Sequence, residues 1–232
     1  MRPHRAYVPA IADELWIEGG EARHLLRVLR ARPGDRLTLF DGRGREALAE
    51  VVGIEGERIR VRVLKARPAE REPDRTITVY LALLKGEKLF EVVRAGTELG
   101  ARRFVLVVSA RSVPKALGRE KLARLGRVAV AAAKQSGRTR LPEVAGPIPL
   151  AEVPPVPLGL VGDPRARLRV AEADDPTRPL ALAVGPEGGF TEEELAALEA
   201  RGFRRVTLGR RILRAETAAC ALLALVTAGP GQ

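Results

Sequence analysis

The sequence predicts an α/β protein in two parts, a small β-barrel-like module followed by a larger domain on a mostly parallel sheet. Three observations predict it. Short strand-like runs dominate the first seventy residues. The charged, proline-bearing stretch "KARPAEREPDRT" (65–76) then reads as a linker. Beyond it, apolar strands alternate with helices of about ten or more residues, the pattern of a parallel sheet covered on both faces. A chain of 232 residues with 46% hydrophobic content can bury two modest cores, and the expected division is 1–70 and 73–232.

In the first part, "GEARHLLRVLR" (Gly20–Arg30) reads as a helix with Leu25, Leu26, Val28 and Leu29 on its apolar side and Arg23, Arg27 and Arg30 grouped at helical spacing. Strands follow at "RLTLF", "ALAEVVGI" and "RIRVRVL", separated by the turns "DGRG" and "EGE". In the second part the order is strand "TITVYLALL", helix "GEKLFEVVRAGTELG", strand "RFVLVVS", helix "REKLARLGRVAVAAAKQSG" and strands "LGLVG" and "LALAVG". Helix "TEEELAALEARG", strand "RVTLG" and helix "RAETAACALLALVTA" complete it.

Composition excludes several functions. Cys220 is the only cysteine and there are two histidines, so an intrachain disulfide is impossible and a metal centre is not expected. No apolar run approaches the ~18–20 residues that cross a bilayer, and the basic start is not followed by a signal-like stretch, so a cytoplasmic protein is expected. The chain has no asparagine and two glutamines while 30% of its residues are charged, a thermophile-like bias. That bias explains many charges but not their imbalance of +11. Residues 1–72 carry 15 basic and 12 acidic side chains (+3), 73–145 carry 15 and 6 (+9), and 146–232 carry 10 and 11 (−1). A polyanion, RNA or DNA, is the expected partner of the middle third.

Three strands of the last third end alike, at "LVG" (Leu160–Gly162), "AVG" (183–185) and "TLG" (207–209). Ligands of open α/β sheets bind beyond strand carboxyl ends, and glycine lets the backbone approach them. "GPEGGFTEEEL" lacks the Lys-Ser/Thr of a phosphate loop and the G-x-G-x-x-G spacing. Thr191 and Glu194 form a capping box, and Glu192, Glu193 and Glu194 place negative charge on the helix start. Phosphate is disfavoured there, and a neutral or cationic small molecule such as a sulfonium is favoured. "LGRRILRAETAA" (Leu208–Ala219) places Arg210, Arg211 and Arg214 in a loop before the last helix. Arg124, Arg127, Lys134 and Arg138 fall within about 80° of one another on a continuous helix, and Lys85, Lys88 and Glu98 complete a polar rim. With 3% aromatic residues, base stacking is a weak expectation and base extrusion into a pocket a stronger one.

Seven stretches, in order, resemble the bacterial 16S ribosomal RNA (uracil-N(3))-methyltransferases of the SPOUT superfamily: "RAYV", "HLLRVLR" with "GDRLTLFDGRG", "LLKGEKLFEVVRAGTELG", "SARSV", "AAKQSGRTRLPEV", "AVGPEGGFTEEEL" and "LGRRILRAETA". The resemblance implies a PUA-like RNA-binding barrel, a C-terminal domain with a deep trefoil knot, and a homodimer acting on 16S rRNA or the small ribosomal subunit. It implies S-adenosyl-L-methionine (SAM) held by Leu160, Gly162, Gly185, Pro186, Glu187, Gly188, Leu208, Gly209, Ile212, Leu213 and Arg214. Lys134 stands where the family usually has glutamate, and Arg94 where lysine is usual.

Uracil N(3)–H is a weak acid, so the enzyme must remove its proton or stabilise the forming anion. Arginine is not a base at neutral pH but stabilises an anion electrostatically. Arg214 is therefore expected in that role, with Glu98 the less favoured general base. Arg5, His24, Arg27 and Arg30 are expected to present RNA from the barrel, and Lys85, Lys88, Arg124, Lys134 and Arg138 to meet it from the second domain. Three other readings remain: action on transfer RNA or another ribosomal site, an RNA-binding assembly factor without turnover, and a nicotinamide-dependent dehydrogenase, which the missing phosphate fingerprint disfavours.

Overall fold

A computed structural model describes residues 4–67 and 71–227. These form two compact units, one comprising the residues up to Glu72 with Ala133–Leu141, the other Pro73–Ala132 and the residues from Pro142 onward.

The first unit is a five-stranded sheet and one helix. Its elements are β1 (His4–Tyr7), β2 (Glu14–Ile17), α1 (Gly19–Arg27), β3 (Arg36–Phe40), β4 (Glu46–Glu55) and β5 (Arg58–Arg67). The strand order is β1-β3-β4-β5-β2, with β1 parallel to β3 and the other pairs antiparallel. Alternation along β4 and β5 sends Ala49, Val51, Ile59 and Val61 into the core with Leu25 of α1. The helix stops earlier than the sequence suggests, and Arg30 beyond it takes a left-handed φ of 53°.

Ala133–Leu141 joins this unit because Glu72 and the β3–β4 turn hold it. The Glu72 carboxylate accepts hydrogen bonds from the backbone N–H of Thr139 and Arg140, each at 2.8 Å, and from Arg138 Nη2 at 2.9 Å. Leu141 N–H donates to the Gly42 carbonyl at 3.0 Å and Gly44 N–H to the Thr139 carbonyl at 3.2 Å. A division drawn at the linker alone gives this segment to the second domain; its hydrogen bonds place it in the first unit.

The second unit is a six-stranded, all-parallel sheet: β6 (Ile77–Ala82), β7 (Arg103–Val108), β8 (Glu143–Pro149), β9 (Gly159–Gly162), β10 (Leu180–Val184) and β11 (Phe203–Val206). Its helices are α2 (Lys88–Glu98), α3 (Arg119–Ser136) up to Ala132, α4 (Val170–Ala173), α5 (Glu192–Glu199) and α6 (Ala215–Thr227). The order β11-β9-β10-β6-β7-β8 means that the chain builds outward from β6 through β7 to β8. It restarts at β9 on the other side, and β10 then fills the place between β9 and β6.

Both faces are covered, as a continuous apolar strand requires. Ile77, Val79 and Leu81 of β6 and Leu180, Leu182 and Val184 of β10 share a core with Leu89, Val92 and Val93 of α2 and Leu222 and Leu223 of α6. The alternate residues Tyr80, Ala82, Ala181 and Ala183 pack with Leu195 and Leu198 of α5 on the opposite face. Among the described residues no helix is long and apolar enough to cross a membrane.

Candidate functional site

Parallel strands bring their carboxyl ends to one edge, and the glycine-bearing ends of β9, β10 and β11 meet there. They enclose a cleft of about 410 Å³, within the ~300–1,000 Å³ of small-molecule sites. Nine predicted residues come together in its wall: Gly162 after β9; Gly185, Pro186, Glu187 and Gly188 after β10; and Leu208, Gly209, Ile212 and Leu213 after β11. Leu160 lies two residues further back, fully buried in the sheet core, and does not face the cleft. Arg214 is exposed beside the lining residues Leu213 and Ala215 and acts electrostatically on Lys88.

The glycines serve different purposes. At Gly185 a Cβ would come within 3.1 Å of Phe190 N and 3.2 Å of the Gly189 backbone, so a side chain there would crowd the turn. Gly209 has a φ of 107°, a backbone that side-chain-bearing residues rarely adopt. Val184, Phe190, Leu195, Ala218 and Leu222 supply an apolar wall.

Three glutamates of the glycine loop and the following helix, Glu187, Glu192 and Glu194, have separate engagements. Glu187 Oε1 accepts from Lys88 Nζ at 2.8 Å and from Lys85 N–H at 3.3 Å, tying the loop to the start of α2. Glu194 closes the predicted capping box with Thr191 and also accepts the Ala110 N–H at 2.6 Å. Glu192 pairs with Arg205 at 2.7 Å and with Arg165. Burial pushes the Glu187 carboxyl up, but hydrogen bonds from Lys88 and the backbone outweigh it and hold the group below the ordinary carboxylate range. The negative charge of Glu187 and Glu192 is thus paired with Lys88, Arg165 and Arg205.

Sequence reading missed Arg111, Asp163, Pro164 and Arg165 in the cleft wall. Arg111 Nη1 donates to the Gly188 carbonyl at 2.9 Å. Asp163 is 4% exposed, and its Oδ1 accepts from Arg165 N at 3.0 Å and Nε at 3.1 Å. Its Oδ2 accepts from Arg165 Nη2 at 3.3 Å and lies 3.7 Å from Arg205 Nη1. Burial raises this carboxyl, and the Arg165 hydrogen bonds with the Arg165 and Arg205 charges bring it below its ordinary value. The available signal was an acid directly after a strand-ending glycine, in "LVGDPR".

The predicted basic and acidic rim divides. His24, Arg27, Arg30, Lys85 and Arg124 are exposed, although Arg27 pairs with Glu57 at 2.6 Å and Arg124 with Glu87 at 2.8 Å. Arg124 also covers the Phe90 ring at 4.1 Å. Arg5 and Arg138 are corrections. Arg138 lies beyond the end of α3, is 2% exposed and pairs with Glu72, so it is interior rather than part of a surface stripe. Arg5 pairs with Glu46, donates to the Arg138 carbonyl at 2.8 Å and stacks on Phe40. Lys88 is bound between Glu187 and Glu216. Glu98 ends α2, about 15 Å along the helix from Lys88 by helix rise, pairs with Arg94 at 3.1 Å and does not reach the cleft.

A family model described as an RNA methyltransferase domain matches residues 70–227, and one described as an RNA methyltransferase PUA domain matches 17–64. The chain is 33% identical to the ribosomal RNA small subunit methyltransferase E of Synechocystis sp., over 96% of this chain and 78% of that one. It belongs to the ribosomal RNA small subunit methyltransferase E family. The corresponding protein of Mycobacterium tuberculosis is 37% identical, with 90% of this chain and 84% of the relative covered. A crystal structure of the Neisseria gonorrhoeae protein, bound to S-adenosyl methionine, matches with a TM-score of 0.91 at 30% identity over 98% of each chain.

The PUA-domain match covers α1, β3, β4 and most of β5, and the methyltransferase-domain match covers the cleft-bearing unit together with Ala133–Leu141. Lys134 pairs with Glu21 at 2.7 Å, and Arg94 with Glu98.

Proposed function

We propose that this methyltransferase E family member transfers a methyl group from SAM to N(3) of a uridine in 16S ribosomal RNA, acting as a homodimer in the cytoplasm. The carrying observation is the cleft where the glycine-bearing ends of β9, β10 and β11 converge. Its features suit SAM: glycines for close backbone approach, an apolar wall for a base, and ionised carboxylates compatible with a cationic ligand. SAM bound to the Neisseria relative supports the same reading.

When bound, SAM supplies an electrophilic methyl carbon on a sulfonium. Residues Gly185–Gly188 and Leu208–Leu213 would hold it through backbone groups. Arg214, exposed at the end of the second loop, stabilises the negative charge that develops on the uracil ring as its N(3) proton passes to solvent water. Lys85 and Arg124 contact RNA from the methyltransferase domain, and His24, Arg27 and Arg30 from the PUA domain. The trefoil knot is part of the proposal: supporting it, β11 lies outside β9 although β10 intervenes in sequence, and α6 then returns against α2 and β10.

The test is methylation by the purified protein with SAM and, separately, small ribosomal subunits, free 16S RNA and transfer RNA, mapped by mass spectrometry. One N(3)-methyluridine in 16S RNA is expected. Methylation confined to transfer RNA overturns the substrate, and SAM binding without turnover on any RNA overturns the enzyme reading. Sedimentation of the protein checks the dimer.

A further inference from the structure

Asp163 occupies a position that the glycine loops do not explain. It is the first residue beyond β9, follows the cleft-lining Gly162 and is itself in the cleft wall while 4% exposed. Two arginines fix it, and those arginines are balanced in turn: Arg165 also meets Glu192, and Arg205 meets Glu192 and Glu199. A carboxylate offers about four acceptor sites. Oδ1 receives two hydrogen bonds, whereas Oδ2 receives one of 3.3 Å and a looser 3.7 Å ion pair, so acceptor capacity remains on Oδ2.

We propose that Asp163 is a specificity-determining residue that accepts hydrogen bonds from the ribose hydroxyls of the bound cofactor. This rests on the SAM reading above. A carboxylate just outside the carboxyl end of a parallel strand is well placed for a ribose diol, because the strand end leads it to the sugar while the base lies against apolar residues. Here the apolar wall is formed by Val184, Leu208, Leu213, Ala218 and Leu222.

Calorimetry of the full chain with S-adenosylhomocysteine and its 2′-deoxy and 3′-deoxy analogues tests this without any activity measurement. The wild-type protein should bind at least one deoxy analogue on the order of 10- to 100-fold more weakly than the parent, the usual worth of a hydrogen bond to a charged acceptor. In Asp163→Asn, checked for a normal melting transition, parent and deoxy analogue should converge. Equal binding of all three by the wild-type protein would overturn the proposal, as would an Asp163→Asn protein that keeps the full discrimination. A desamino analogue that alone becomes insensitive to Asp163→Asn would also overturn it, by assigning the carboxylate to the ammonium. If the wild-type protein fails to bind even the parent, the SAM reading itself fails.

Discussion

Lys88 Nζ lies 2.8 Å from Glu187 Oε1, so the first residue of α2 holds the glycine loop that follows β10. Glu216 Oε2, in the first turn of α6, lies 3.7 Å from the same ammonium. One cation therefore joins the loop after β10 to the start of α6, which follows the loop after β11.

Lys88→Met is expected to weaken SAM binding severalfold while leaving thermal stability nearly unchanged, because the pair is part-exposed. Lys88→Arg should restore most of the affinity. Calorimetry on the three proteins, with melting curves alongside, checks both parts; an unchanged affinity in Lys88→Met would remove the loop-holding role.

Arg138→Ala should destabilise the PUA-containing unit by about 3–5 kcal/mol, since it leaves the Glu72 carboxylate without its buried cation. The double variant with Glu72→Ala should lose less than the two single losses added together. Denaturant unfolding of the four proteins measures the coupling, and full additivity would contradict the pairing.

Arg214→Ala should bind SAM normally and lower turnover on the order of 100-fold or more, the usual effect of removing a group that stabilises a developing anion. Binding is measured by calorimetry and turnover by methyl incorporation into small-subunit RNA. A wild-type rate would refute the assignment.

Acid should destabilise the cleft first. Asp163, Glu187 and Glu192 are all held below the ordinary carboxylate values. For Glu192 the leading cause is the Arg205 hydrogen bond. With the folded pKa below the unfolded one, the contribution is fully present above the unfolded value and is lost as pH falls through the folded one. SAM affinity and melting temperature should therefore be steady above about pH 5 and fall below about pH 4. Melting temperature followed from pH 7 to 3 checks the direction.

The alternation of apolar strands with helices made most of the second unit legible, down to the capping box at Thr191 and Glu194. β8 was not, because "EVAGPIP" carries a glycine and two prolines; it is tolerated at the sheet edge, where fewer backbone donors are needed. β1, β2 and α4 are four residues each, too short for periodicity to register. The cleft was legible as glycine at three strand ends. The fate of the cations was not: Arg5, Lys134 and Arg138 find Glu46, Glu21 and Glu72, which lie 41, 113 and 66 residues away. Helical spacing and strand alternation see only neighbours in sequence, so these distant partners were not visible to them.

The strand order also bears on biosynthesis. β10 is central to the sheet, yet Leu180 must find Ile77 across more than a hundred intervening residues. Until the last third of the chain has left the ribosome, β6 to β8 and their helices present an open edge where β10 belongs, and none of the three cleft-forming loops is complete. The cleft can form only once β10 and the loop after β11 have been made, and the pairing of β10 with β6 is a long-range contact of the kind that forms slowly.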